Sequence, residues 1–132
     1  MGSHRLNQGI IFFNSGRYFE AHEVWEDMWR EEQGSLRLLY QGLVQAAVGL
    51  HHFARNNLLG ARLQLSKALA KLDLYPAETE GIDLAGLRRD LEAILGSLEK
   101  GDKSVFSPPS EGGAGRADKI GTLPTIRRGR GW

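Results

Sequence analysis

Between Leu36 and Asn56 apolar side chains return every three or four residues, at Leu39, Leu43, Ala46, Leu50 and Phe53. That is the 3.6-residue period of a helix with one buried face, not the two-residue alternation of a strand, and it makes this segment the centre of any core the chain can form. Gly42, Ala46 and Gly49 add a stripe of small residues to the same helix. Each glycine in a helix interior costs ~1 kcal/mol relative to alanine, so something must offset it: close approach of a neighbouring helix, or room left for a ligand.

The same period sets the rest of the architecture. Residues 5–13 present Leu6, Ile10 and Phe13, and Asn14-Ser15-Gly16 supplies a turn. From Arg17 to about Gln33, Tyr18, Ala21, Val24, Trp25 and Met28 recur at helical spacing. Gln33-Gly34-Ser35 closes that helix, with Gly34 suited to the position after its end and Ser35 suited to cap the next helix. A fourth helix starts at Asn56-Asn57, runs through Leu65, Ala68, Leu69 and Leu72, and stops before Pro76. A fifth starts at Asp83, an N-cap flanked by Ile82 and Leu87 at the spacing of a hydrophobic staple, and carries Leu84, Leu91, Ile94, Leu95 and Leu98. The expected fold is all-α: a compact bundle of about five helices built on an antiparallel helical hairpin, with no strand, repeat or sustained heptad.

A folding unit of residues 5–100 follows, since a domain of roughly 100 residues buries about two thirds of its unfolded surface and needs no staple. Residues 1–4 read as an N-terminal extension of the kind cloning leaves. Residues 101–132 read as an extended or flexible tail, rich in Gly and Pro, with only Val105, Phe106, Ile120, Leu123, Ile126 and Trp132 as large apolar residues.

Composition closes off several functions. With no cysteine, thiolate catalysis and Cys-ligated metal sites are excluded. No apolar leader opens the sequence, and the longest apolar run, Leu43–Leu50, is far short of the ~20 residues a bilayer demands, so no membrane partner and a cytoplasmic location are expected. The formal charge of +1 comes from the tail, which holds six Lys/Arg against three Asp/Glu and leaves residues 1–100 at −2. Nucleic acid is therefore not an expected partner, the single Arg-rich, Trp-ended stretch from Ile126 to Trp132 being too little to carry one.

The remaining polar signal is concentrated on two helices. His22 and Glu26 are four residues apart and Glu23 and Glu26 three apart, with Glu20 just before them, so all four crowd one stretch of the second helix. On the third helix Gln41 and Gln45 have the same spacing, and His52 lies on their side, two turns on. Counted outward from Gln33-Gly34, an antiparallel hairpin sets His22 against Gln45 and Glu26 against Gln41, a polar ladder. Such a ladder is open to three readings: a buried, mutually bonded network that fixes register; a small-ligand or acid–base site; or a divalent-metal site on His22, Glu23, Glu26 and His52 serving a hydrolase-like reaction. The metal reading lacks both familiar patterns, since Glu26 stands where a zincin needs its second His and Phe19 where a ferritin-like Glu-x-x-His needs Glu. Trp25 and Trp29 are expected in the core or at its rim. Arg62, Lys67, Lys71, Arg88 and Arg89 are expected on solvated faces. A protein–protein module using the small-residue stripe, the Trp pair or the tail, in a homo-oligomer or with another chain, is the alternative to a small-molecule function.

Phe13-Asn14-x-Gly16-x-Tyr18-Phe19-Glu20-Ala21-His22-Glu23-Val24-Trp25-Glu26-x-x-Trp29, followed by Gln41-Gly42-Leu43-x-Gln45-Ala46-Ala47 and Asn57-x-x-Gly60-Ala61, resembles the domain of unknown function family 309 over residues 7 to 98. The resemblance implies a small all-helical bacterial or archaeal protein. It brings no activity, substrate or cofactor, but its signature coincides with the ladder, which implies that Glu20, His22, Glu23, Glu26, Gln41 and Gln45 are site positions.

Overall fold

The computed structural model describes residues 3–99, 123–127 and 129, and its order is α1 (Ser3–Asn14), α2 (Tyr18–Glu31), α3 (Arg37–Ala54), α4 (Leu58–Leu72), β1 (Glu78–Thr79), β2 (Ile82–Asp83) and α5 (Leu84–Glu99). Each helix packs against the next in the chain. Consecutive partners run antiparallel: Phe13 meets Tyr18 across the α1–α2 turn, and Arg5 reaches Glu31 at the far end. None of these helices is long and apolar enough to cross a membrane. The helical bundle read from the periodicity is therefore observed, with a two-residue hairpin that it did not foretell.

Local chemistry explains where the helices stop. Gly16 takes φ +81°, with its N–H on Phe13 O and that of Arg17 on Phe12 O, the paired closure of a left-handed helix end. Asn56 does the same after α3, and Asn57 then caps α4 by accepting from Gly60 N at 3.1 Å. Asp83 caps α5 through Gly86 N at 3.0 Å, as its position before the apolar stripe suggests. The hairpin turns on Glu80 and Gly81, both at positive φ, the geometry that closes a two-residue loop.

The α2–α3 turn is corrected. Gly34 is not left-handed and Ser35 does not cap α3. One distant residue and one local one do that work: the Tyr75 hydroxyl accepts from Leu39 N at 2.9 Å and donates to Ser35 O at 2.6 Å, while Arg37 donates to Trp29 O and Glu32 O at the end of α2 and stacks on the Trp29 ring. Arg88, expected on a solvated face, donates to Leu72 O and Tyr75 O and so closes the end of α4, where a cation also opposes the helix dipole.

The core is formed by the predicted stripes, and among the described residues no polar or charged side chain is buried. Trp25 is fully buried against Phe13, with its indole N–H directed at Leu6 O. The small-residue stripe of α3 is filled by α4: a Cβ on Gly42 would meet Leu72, and one on Gly49 would lie 2.7 Å from Leu65. Tight packing, rather than space for a ligand, offsets the two glycines.

Part of the tail lies on the domain. Ile126 is 3% exposed within the core cluster and Leu123 packs against it. Val105, Phe106, Ile120 and Trp132 are outside the described residues, as are Met1 and Gly2 of the N-terminal extension.

Candidate functional site

Helix α2 presents its polar residues on the side turned from the core. His22 Nε2 stands 3.3 Å from Glu26 Oε1, and the other Glu26 oxygen is 3.4 Å from Arg30. His22 Nδ1 is 3.2 Å from Phe19 O one turn back, so both ring nitrogens are engaged on their own helix. Glu20 pairs with Arg17 at 3.2 Å, and its carboxyl is held below the usual carboxylate range first by its own backbone N–H and then by Arg17, with burial opposing. Glu23 is exposed and makes no ion pair among the described residues. The four acidic and imidazole groups of the α2 motif thus stay neighbours, but their bonds run along the helix and not across to α3.

The ladder rungs do not form. Gln41 and Gln45 are half-buried, neither makes a side-chain hydrogen bond among the described residues, and Gln45 Oε1 is buried without a partner. The register explains this. Counting from the turn sets Phe19 level with Val48, yet its ring lies 5.6 Å from that of His51, about one helical turn further on. Side chains lean toward the N-terminus of their helix, so on antiparallel partners Phe19 leans away from the turn and His51 back toward it, and residues further apart than simple counting implies come together.

What the fold brings together instead is an aromatic and imidazole patch at the open end of the hairpin. The Phe19 ring, 49% exposed, lies 5.3 Å from that of His22 and 5.6 Å from that of His51, and His52 is 6.2 Å beyond. His52 turns toward α4, where Asn57 Nδ2 is 3.3 Å from its Nδ1. Burial lowers the proton affinity of His51 below the ordinary histidine value of 6.5; Arg55, His52 and His22 push the same way and Glu20 opposes them. A neutral imidazole beside a half-open ring can donate one hydrogen bond, accept another, and stack. Phe19 and His51 are not among the site positions expected from the sequence, although the structure brings their rings together. The signal for His51 was its position beside His52, but adjacent helical residues diverge by about 100°, and only the packed register decides which of the two meets α2.

Among the described residues no three His, Asp or Glu side chains gather as a metal would require, and no cofactor is indicated. His22 and Glu26 supply two donors; Glu23 and His52 do not join them.

The two Trp residues differ. Trp25 is fully in the core, whereas Trp29 is half-buried beneath Arg37, its indole nitrogen buried without an acceptor.

The model of a family described as a domain of unknown function, DUF309, matches residues 6–64, which contain every motif that carries the resemblance; it ends well before residue 98. An uncharacterized protein of Aquifex aeolicus is 32% identical over 100 residues, 74% of this chain and 29% of that protein. The uncharacterized protein YpuF of Bacillus subtilis is 30% identical over 105 residues, 75% of this chain and 60% of the relative. The chain thus spans less than two thirds of the length of either. No specific function comes with these similarities.

Proposed function

We propose, for a chain whose residues 6–64 carry the DUF309 signature, that the domain binds a small planar ligand on the open end of the α2–α3 hairpin, with Phe19 as the stacking surface and His22 and His51 as flanking hydrogen-bonding groups. The observation that carries this reading is the half-exposed Phe19 ring held between two imidazoles at 5.3 and 5.6 Å. A purely structural role for the cluster has less support, because His22 and Glu26 are only partly buried and are bonded along their own helix. The carboxylates of Glu20 and Glu26 already face Arg17, Arg30 and His22, which favours an uncharged or weakly charged ligand over a strongly cationic one.

Titration with adenine and indole, followed by NMR of the Phe19 and histidine ring protons, tests the reading. Saturable shifts in those rings, lost in Phe19→Ala with the helical content unchanged, are expected. Shifts that are absent, or that persist in Phe19→Ala, would sink it. A divalent-metal role rests on the His22–Glu26 pair alone, and titration with zinc and manganese in the same experiment separates it, since a metal would perturb His22 regardless of Phe19.

A further inference from the structure

We propose that the groove between the end of α1 and the outer edge of the β-hairpin is a strand-accepting peptide site, distinct from the hairpin patch, whose ligand is an extended basic peptide of the form Pro-x-Ile-x-x-Gly and whose built-in occupant is Leu123–Gly129 of this chain. The occupant is held by features of peptide recognition and not by helix packing. Asn14 bonds both sides of one residue: its Nδ2 donates to Ile126 O at 3.0 Å and its Oδ1 accepts from Ile126 N at 2.8 Å, the same pair of bonds a neighbouring strand would offer. Further along, Asp83 N donates to Arg127 O at 2.8 Å and Gly129 N donates to Gly81 O at 3.0 Å, so the segment runs antiparallel to β2. Backbone bonds of this kind accept any sequence; the side-chain positions select.

Three positions provide selection. Ile126 is buried in the core cluster, and Pro124 is buried two residues before it, where alternation along an extended chain returns to the same face. Gly129 lies against the carboxylate of the exposed Glu78 side chain, which would have to swing aside for any larger residue. Charge adds to this: the hairpin carries Glu78, Glu80 and Asp83, and the peptide carries Arg127, Arg128 and Arg130. The segment is separated from α5 in sequence by residues 100–122, so it is a covalently attached ligand of the site.

The experiment uses the full chain and a labelled synthetic peptide of residues 121–131. Ile126→Asp protein, whose own segment no longer fits, should bind the peptide saturably and at least tenfold more tightly than the wild type, where the tethered copy competes. Adding Asn14→Ala should weaken that binding at least fivefold, and a peptide carrying Ile126→Asp should not bind. Absence of saturable binding to a folded Ile126→Asp protein, or equal binding of the two peptides, overturns the proposal. Hydrogen exchange on the wild type decides it independently of that variant's folding: the Ile126 and Asp83 amides should exchange at least a hundredfold faster than Leu43 in α3, and equal rates would make the segment a fixed part of the core.

Discussion

The two sides of α2 solve opposite problems with residues that alternate in sequence. Toward α1 and α3, Ala21, Trp25 and Met28 are almost completely withdrawn from water, and the only polar atom of Trp25 is directed at Leu6 O. On the outer side Phe19, His22 and Glu26 remain open, bonded along their own helix and available to something else. Tyr18 shows how closely the two environments adjoin: next to half-exposed Phe19, its phenol is pushed up to about 12 by burial. A polar motif can therefore sit beside a dry core without becoming part of it, and sequence proximity to core residues does not make a polar residue structural.

This contrast can be broken at three levels. Trp25→Ala should have the largest effect, about 3–5 kcal/mol of lost stability in urea unfolding, because it leaves a large cavity beside Phe13; a loss near that of an exposed residue would mean the inner side is not the packed one. Gln45→Leu probes the seam between the sides. With its Oε1 buried and unbonded, the substitution should stabilise the protein by about 1 kcal/mol, whereas a network role would make it destabilising, and a thermal melt distinguishes the two signs.

The smallest effect is the pH dependence of the outer side. His51 binds its proton more weakly in the folded protein than at the ordinary value of 6.5, so the unfolded chain takes the proton first. Its contribution to stability is complete above pH 6.5 and lost as pH falls through the folded value. The urea midpoint of the wild type should drop below pH 6.5 relative to that of His51→Gln, and parallel profiles would remove His51 from the account. Arg55, His52, His22 and Glu20 all face this ring, so the comparison is made with those residues unchanged.

The amino-acid pattern alone determined the helices, their core faces, the α2–α3 hairpin and several ends, because helical period, caps such as Asn57 and Asp83, and left-handed positions such as Gly16 are encoded within a few residues. It also located the polar residues of α2. It could not show that Tyr75, reaching in from a distant segment, and Arg37, whose side chain folds back over the end of α2, complete the α2–α3 turn in place of Ser35 and Gly34. Nor could it place Ile126 in the core, with a Gly/Pro-rich stretch between it and the domain.

The partners within the hairpin were decided only by tertiary structure. An offset of one turn costs nothing in either helix's own pattern, yet it exchanges Val48 for His51 as the residue that meets Phe19. Composition fixed which side chains were available; the lean of side chains on two antiparallel helices, and the close approach of α4 to Gly42 and Gly49, fixed which of them meet.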